Sequence, residues 1–331
     1  MQFIDNPELP TLRTDWPGHP FDGKRFGYPE MPDFYPSWRT VAKMVLTPNP
    51  RRAEKKADDW LPPMSADTAY LDDRRADWIV WLGHACFLIQ LDGVRYLTDP
   101  VLYDLPFISR RFGLPAGIEQ FTGVDYLLLS HDHRDHCDER SLKAVLQHNR
   151  PRKILTALRM GGVIDAWVGD TPVEEAGWYQ QYHSEGPDVV FLPARHWCRR
   201  GLLDFNRRLW GSFLLRGSRH TVYFGADSGY GTHFRQIGER FPGIDAAIIG
   251  VGAYQPRYMM APMHAGPAEG KQAFEDLGSR LLIPMHYGTY DLSREPPSDP
   301  LRSLERLFDK AGRGAQLRPP GVNVPISLTT G

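Results

Sequence analysis

The segment Ser130–Asp138 reads SHDHRDHCD and directly follows the apolar run Val124–Leu129. Three of the twelve histidines of the chain fall within six positions of this segment, so it is the densest cluster of imidazoles in the sequence. The apolar run has the length of a buried strand, and the loop after a strand is where a rigid scaffold presents functional side chains. Imidazole and carboxylate together are ligands of zinc and similar divalent ions. The segment therefore predicts a metal site at the end of a strand.

Further ligand candidates lie in later parts of the chain. One loop cannot supply the complete ligand set, so the interpretation requires partners elsewhere. Three such side chains stand just beyond short apolar runs, and they are His196, Asp227 and His286. Because each follows a predicted strand, we expect all of them to gather at one edge of the sheets.

The sequence from Asp77 onward is typical of an α/β protein. It consists of short apolar runs bounded by Gly, Asp and Pro, as expected of strands. The first runs predict an antiparallel start, with Asp92-Gly93 as the hairpin turn. Later runs alternate with helical patterns such as Glu139–Gln147 and Pro267–Leu277. Strand-rich halves interleaved with helices predict two sheets packed face to face with helices outside.

Residues 1–75 differ from the domain predicted at 76–331. They are rich in proline and aromatic residues, as in Phe34-Tyr35-Pro36, and they show little periodicity. We therefore expect an irregular extension packed on the core. One helical pattern within it has an apolar face made of Trp38, Val41, Met44 and Val45. Such a face either packs against its own protein, which is the expectation here, or enters a lipid surface.

The composition excludes several classes of protein. The 331 residues include 39 Lys+Arg and 40 Asp+Glu, whereas nucleic-acid-binding domains are generally strongly basic. Nucleic acid is therefore not an expected partner. No apolar run reaches the ~18 residues that span a bilayer, and the N-terminus has no secretory-signal pattern. Three cysteines are too few for a disulfide framework. The expected location is cytoplasmic.

The order of the candidate ligands resembles that of the metallo-β-lactamase fold, a binuclear metallohydrolase family. The motif at 131–136, His-x-His-x-Asp-His, is followed by His196, Asp227 and His286 as in that family. Six further motifs are similar to the branch that contains the phospholipase D acting on N-acyl-phosphatidylethanolamine. They are WLGHA at 81–85, LTDP at 97–100, HWCRR at 196–200, LWGS at 209–212, GAYQPR at 252–257 and HYGTY at 286–290. The resemblance implies an αββα sandwich of two mixed sheets flanked by helices.

The resemblance also implies a ligand set for two divalent ions. His131, His133 and His196 would hold one ion. Asp135, His136 and His286 would hold the other, with Asp227 as the bridge. Zinc is the expected metal, and imidazole and carboxylate also suit iron or manganese. Two cations about 3.5–4 Å apart can share a hydroxide and stabilise the entering and leaving oxygens of a displacement. The implied activity is phosphodiester hydrolysis with this hydroxide as the nucleophile.

Several other residues are candidates for supporting roles. Asp135, Asp227 and His264 are the expected catalytic residues, and the resemblance implies a protonated His264 imidazole beside the substrate phosphate. The family commonly reads His-x-Asp-Pro there, whereas this chain reads His264-Ala265-Gly266-Pro267. Asp99 either caps a turn or fixes the tautomer of a ligating imidazole. His84 either lines the cavity or is a core histidine. Tyr254 and Arg257 either shape the pocket and bind phosphate or make structural contacts.

Alternative functions remain open from the sequence. The branch is also similar to lactonases that act on a phosphorylated sugar lactone, and β-lactam hydrolysis is a further possibility within the fold. A non-enzymatic module held together by metal ions would have closed coordination, typically rich in cysteine. The expected partner is a small-molecule or lipid-derived phosphodiester. Peripheral membrane contact and a homodimer are compatible with the sequence.

Overall fold

The computed structural model describes residues 2–28 and 37–328. The strands in these ranges are β1 (Gln2–Ile4), β2 (His19–Phe21), β3 (Trp78–Gly83), β4 (Cys86–Leu91), β5 (Val94–Thr98), β6 (Tyr126–Leu129), β7 (Lys153–Ala157), β8 (Val173–Ala176), β9 (Asp188–Leu192), β10 (Ser212–Arg216), β11 (Thr221–Phe224), β12 (Ala246–Gly250), β13 (Leu281–Met285) and β14 (Pro325–Ser327). The helices are α1 (Trp38–Leu46), α2 (Arg52–Ala57), α3 (Glu139–His148), α4 (Gly161–Val168), α5 (His233–Arg240), α6 (Arg257–Met260), α7 (Pro267–Asp276) and α8 (Asp299–Lys310).

Two mixed sheets form the centre of the molecule. The larger has seven strands in the order β14-β3-β4-β5-β6-β7-β8, and the smaller has five in the order β13-β12-β11-β10-β9. Strands β3, β4 and β5 form the predicted antiparallel start, and β5 to β8 are parallel. In the smaller sheet β9, β10 and β11 are antiparallel, and β11, β12 and β13 are parallel.

The two sheets pack face to face through apolar side chains. Phe87 of β4 lies against Phe224 of β11 with 6.3 Å between ring centroids, inside one continuous buried cluster. Helix α7 covers β12 and β13 and packs on α8, where the rings of Phe274 and Phe308 are 5.5 Å apart. The fold-class prediction of an αββα sandwich is therefore confirmed.

The predicted elements are present with small differences at their ends. The strand expected from Val124 begins at Tyr126, because the backbone N–H of Val124 donates to the side chain of Asn149 instead of to a neighbouring strand. Helix α3 begins after Asp138, whose carboxylate accepts the N–H of Ser141 at 2.8 Å and so caps the helix. The predictions did not include α4, β8, α5 or β14, which lack a long periodic pattern.

The N-terminal residues contact the sandwich and are more regular than expected. Strands β1 and β2 pair with each other, and the imidazole of His19 accepts a hydrogen bond from the backbone of Trp178. Farther along, the ring of Trp60 stacks on Tyr287 at 5.8 Å, next to the candidate ligand His286. The division into an extension and a hydrolase domain stays a prediction, and the aromatic pair Phe34 and Tyr35 lies outside the described residues.

Helix α1 exposes its apolar face. Trp38, Val41 and Val45 are 75%, 41% and 77% exposed, so the expectation that this face packs against its own protein is wrong. Polar contacts hold the helix in place instead: Arg294 donates to its C-terminal carbonyl groups, and Lys43 lies over the ring of Tyr258 at 4.3 Å. No helix within residues 2–28 and 37–328 combines the length and apolarity that crossing a bilayer requires.

A buried ion pair fastens two loops together at one edge of the sandwich. Asp132 is fully buried in the loop after β6, and its Oδ2 accepts hydrogen bonds from Arg208 Nε at 2.6 Å and Nη2 at 2.5 Å. Arg200 donates from Nη1 to the backbone carbonyl groups of Asp132 and Cys137. Both arginines belong to the loop between β9 and β10, which also carries His196. We call these contacts the loop clasp.

Replacing Arg208 tests the loop clasp. In Arg208→Ala the carboxylate of Asp132 stays buried without its counter-ion, so the free energy of unfolding should fall by about 3–5 kcal/mol. Urea denaturation followed by circular dichroism measures the change. The exposed neighbour Arg207 provides the matched control, since Arg207→Ala should change the free energy by no more than about 0.5 kcal/mol. Equal effects of the two substitutions would contradict this account of the clasp.

Candidate metal centre

The first group of candidate ligands joins the loop after β6 to the loops after β9 and β11. It contains His131, His133, His196 and Asp227, whose ligand atoms all lie within 4.8 Å of one another. Nδ1 of His133 is 3.0 Å from Nε2 of His131 and 3.1 Å from Nε2 of His196. Oδ2 of Asp227 is 3.6 Å from Nε2 of His196.

The second group lies beside the first. It contains His84, Asp135, His136 and His286, again with ligand atoms within 4.8 Å of one another. Oδ2 of Asp135 is 3.8 Å from Nε2 of His136 and 3.5 Å from Nε2 of His286. The structure thus brings together all seven side chains that the sequence singled out as ligands.

Asp227 contacts both groups. Besides its approach to His196, its Oδ2 lies 3.2 Å from Nε2 of His136, and its Oδ1 lies 3.0 Å from Nε2 of His286. A carboxylate between two clusters of imidazoles has the placement that a bridging ligand needs. The polypeptide reaches this arrangement through tight turns, since Asp99, Ala226 and His286 have positive φ angles of 33°, 46° and 65° directly after strands. Such strained residues persist only where the surroundings hold them.

Hydrogen bonds outside the cluster fix which imidazole nitrogen faces inward. Nδ1 of His196 donates to the backbone carbonyl of Met263 at 3.0 Å, and Nδ1 of His136 donates to Asp99 at 2.8 Å. The Ser130 hydroxyl donates to Asp99 at 2.6 Å, so it accepts from Nδ1 of His131 at 2.9 Å. In His196 and His131 Nε2 is left with its lone pair directed into the cluster, as metal ligation requires. Burial opposes protonation of His136, but Asp227 and Asp135 outweigh it and raise its pKa, so its Nε2 would release a proton when a cation binds.

The donor set fits divalent cations by geometry. Nε2 of His136, Nε2 of His286 and Oδ1 of Asp227 are buried without a hydrogen-bond partner in the described part of the chain. Buried polar atoms are normally satisfied, so their convergence requires another partner. Ligand atoms 2.0–2.1 Å from a tetrahedral ion stand about 3.3 Å apart, and the separations of 3.0–3.6 Å within the first group agree with this value.

Electrostatics favours positive charge at the cluster. Burial disfavours the ionised carboxylates, yet the surrounding imidazoles, His136 foremost, hold the pKa of Asp135 and of Asp227 well below the usual range. Burial likewise opposes protonation of His286, but Asp227 and Asp135 outweigh it and raise the pKa to about 9. At His131 burial dominates and lowers the pKa well below its ordinary value, which keeps the imidazole neutral. His131 and the ionised carboxylates are thus in the states that bind metal, whereas His286 would release its proton when a cation binds.

Asp99 performs both of the roles considered for it. It is fully buried, and its Oδ1 accepts the backbone N–H of Ser130 at 2.8 Å while Oδ2 accepts from His136. Through the Ser130 hydroxyl it also orients His131. Burial raises the pKa of Asp99, and the hydrogen bond from His136 opposes that shift. The sequence interpretation missed Ser130, although its position between the strand and the first histidine was a usable signal.

His84 lies inside the cluster and not merely along a cavity wall. It is 2% exposed, its Nε2 is 3.1 Å from Oδ2 of Asp135, and its ring centroid is 4.1 Å from that of His286. Burial lowers its pKa to about 3, so the imidazole is neutral. It either donates to Asp135 or adds a ligand to the second group.

His264 lies at the edge of the cluster. Its ring centroid is 5.2 Å from those of His196 and His286, and its Nδ1 is 3.9 Å from Oδ2 of Asp227. Burial lowers its pKa to about 4 in the absence of substrate, and the protonated imidazole beside a substrate phosphate stays a prediction. As a neutral ring it still offers one N–H donor.

Tyr254 and Arg257 use their polar groups in protein contacts. The Tyr254 hydroxyl donates to Asp299, while Arg257 pairs with Glu269 at 2.5 Å and donates to the carbonyl of His264 at 3.1 Å. These contacts favour the interpretation that both residues stabilise the fold and do not bind phosphate. A Cβ on Gly266 would lie 2.9 Å from the Tyr254 ring, which explains why an aspartate does not fit at this family position.

Comparisons with known proteins agree with this geometry. The sequence profile described as "Beta-lactamase superfamily domain" matches residues 94–287. The N-acyl-phosphatidylethanolamine-hydrolyzing phospholipase D 1 of Caenorhabditis elegans is 30% identical over 300 residues, which cover 83% of this chain and 83% of that protein. A metal-dependent hydrolase of Methanopyrus kandleri is 28% identical over 233 residues, covering 69% of this chain and 92% of the other.

Solved structures show the same fold. The metallo hydrolase Igni18 of Ignicoccus hospitalis superposes with a TM-score of 0.56 at 16% identity, covering 77% of this chain and 100% of that chain. The profile match spans more than half of the 331 residues. Its bounds enclose all seven side chains predicted as ligands, with His286 one residue before its end. The chain belongs to the metallo-β-lactamase superfamily, and it is a metal-dependent hydrolase.

Proposed function

We propose that the chain is a binuclear, zinc-dependent phosphodiesterase that resembles the N-acyl-phosphatidylethanolamine-hydrolysing phospholipase D. The observation that carries the proposal is the position of Asp227 between two groups of ligands, within 3.0–3.6 Å of His136, His196 and His286. A single structural ion would need only one such group, and structural zinc sites are typically closed and rich in cysteine.

The chemistry of such a centre suits a phosphodiester. Two divalent ions would supply a water activated as nucleophile at neutral pH and would stabilise the entering and leaving oxygens. The protein's own part is to fix the ligands. Asp99 and Ser130 hold His136 and His131 in one tautomer, and the loop clasp holds the loops that carry His131, His133 and His196. Held geometry of this kind avoids reorganisation during the reaction.

Side chains next to the candidate ligands limit the access of water to the centre and orient the substrate. The ring of Trp197 lies 4.6 Å from that of His133, and Tyr287 is buried beside His286. His264 offers its neutral N–H at the edge of the cluster, where it can donate to a non-bridging phosphate oxygen.

A lipid-derived diester is the favoured substrate class. The Caenorhabditis elegans relative is named for hydrolysis of such a lipid. The exposed apolar face of α1 supports peripheral contact with a membrane, because exposed Trp and aliphatic side chains on an amphipathic helix enter the lipid interface. Lactone hydrolysis is the alternative within the same centre. A homodimer and a cytoplasmic location stay predictions.

Metal removal tests the proposed activity. Purified protein should contain two zinc ions per chain by elemental analysis and should hydrolyse bis-p-nitrophenyl phosphate. A chelator should reduce this activity by at least about 100-fold, and added zinc should restore it, since the ions activate the nucleophile. His133→Ala should cause a similar loss, whereas His148→Ala, at an exposed position, should not. Hydrolysis of a sugar lactone without hydrolysis of the diester would establish the alternative instead.

Replacing Asp99 tests the orienting network. Asp99→Asn removes the charged acceptor for His136 while nearly keeping the shape, so the affinity for zinc should fall about 10- to 100-fold. Competition with a coloured zinc chelator measures the change directly, without relying on activity. Asp170→Asn is the matched control, because Asp170 is exposed after α4. An unchanged affinity in Asp99→Asn would show that the network does not tune the ligands.

A further inference from the structure

A cavity of about 570 Å³ is lined in part by the loop between β6 and α3 that carries the candidate ligands, here called the ligand loop. Its lining includes Arg134, which stands in the chain between the candidate ligands His133 and Asp135, and residues from the first turns of α3. Tyr103 forms part of another wall. We call this space the basic cavity, for the reasons that follow.

The basic cavity carries an excess of positive charge. Its lining includes four cationic side chains, Arg134, Arg140, Lys143 and Arg200, and two acidic ones, Asp138 and Glu139. Both acids have other partners. Glu139 pairs with Lys143 at 2.6 Å, and Asp138 caps α3 through Ser141.

Two arginines remain available to a ligand. Arg200 donates to the backbone of the ligand loop, but Arg134 and Arg140 are exposed and form no hydrogen bond or ion pair with residues 2–28 and 37–328. The guanidinium carbon of Arg140 lies over the Tyr103 ring, 3.7 Å from its centroid, and this contact does not occupy the N–H groups of the guanidinium. A planar guanidinium edge is suited to paired hydrogen bonds with phosphate oxygens.

The lining of the basic cavity is connected to the metal cluster through the chain and through side-chain contacts. The carbonyl oxygen of Tyr103 accepts a hydrogen bond from the Tyr290 hydroxyl at 2.7 Å, and the Tyr290 ring packs edge-on against His84 at 5.2 Å. His84 in turn contacts Asp135. On the other side Arg134 is directly bonded in the chain to two cluster residues. The backbone of Arg134 on one side and the contacts from Tyr103 through Tyr290 to His84 on the other therefore connect the lining of this cavity to the cluster.

We infer that the basic cavity binds a phosphate group of the substrate other than the one that is cleaved. The inference rests on the proposed phosphodiesterase function and narrows its substrate class to diesters that carry a second phosphate. That phosphate belongs either to a soluble molecule or to a lipid head group, and the chemistry of recognition is the same in both.

A matched pair of chromogenic diesters tests the inference. Thymidine 5′-(p-nitrophenyl phosphate) and the same compound with an added 3′-phosphate differ only in the second anionic group. The 3′-phosphate should lower KM at least about tenfold in the unmodified protein, and this advantage should shrink at high salt. The double substitution Arg134→Gln with Arg140→Gln should reduce the KM ratio to below about threefold. The double substitution Arg302→Gln with Arg306→Gln, an equal loss of two charges at exposed positions on α8, should leave the ratio unchanged.

Equilibrium binding separates failure of the inference from failure of the proposed function. If neither diester is cleaved, the proposed function fails, and the inference is then judged by calorimetry with thymidine 3′,5′-bisphosphate against thymidine 5′-monophosphate. Tighter binding of the bisphosphate that depends on Arg134 and Arg140 supports the phosphate site. Equal binding, or an equal KM for the two diesters, overturns it.

Binding to vesicles shows whether the phosphate that the basic cavity recognises belongs to a lipid head group or to a soluble molecule. Sedimentation with phosphatidylcholine vesicles that contain phosphatidic acid, compared with phosphatidylcholine alone, measures recognition of a lipid phosphate. Binding that is lost in the double variant supports a lipid head group as the ligand. A preference for the phosphorylated diester without such sedimentation supports a soluble ligand.

Discussion

The site depends on carboxylates and imidazoles that are buried together at one sheet edge. Some of their polar atoms have no hydrogen-bond partner in the described part of the chain. Asp227 is 3% exposed, and its Oδ1 lacks a hydrogen-bond partner within the described chain, although three imidazole nitrogens approach the carboxylate. An uncompensated buried charge costs several kcal/mol. In the absence of a metal ion the surrounding imidazoles outweigh burial and compensate the charge of Asp227, and a bound cation would take over that role. Stability and metal content of such a protein are linked.

Much of this organisation is readable from the sequence. Apolar runs of strand length identified the central strands, because burial between two layers produces continuous hydrophobic segments. The ligands could be predicted from the sequence for a related reason. Each of four residues stands just after such a run, and the strand ends meet at one edge; these residues are His131, His196, Asp227 and His286. The family resemblance of the flanking motifs then supplied the division into two groups, which the spacing alone did not determine.

Other features depend on contacts between distant segments, and local pattern does not encode them. The apolar face of α1 has the same periodicity whether it meets protein or solvent, so its exposure became visible only in the structure. The roles of Ser130 and of the Asp132–Arg208 pair depend on which loops adjoin, and an isolated serine or arginine carries no periodic signal. The protonation of His264 was also outside the reach of sequence, since it depends on how deeply the ring is buried.

The position of β14 has a consequence for synthesis on the ribosome. This strand pairs with β3, so the seven-stranded sheet combines residues 78–83 with residues 325–327. Trp60 likewise stacks on Tyr287, which is made more than two hundred residues later. During synthesis these two contacts form only after residues 287 and 325–327 have left the ribosome, whereas strands β3 to β8 can pair earlier. The edge of β3 that β14 covers is therefore unpaired in the nascent chain, and an unpaired strand edge is a site at which chains aggregate.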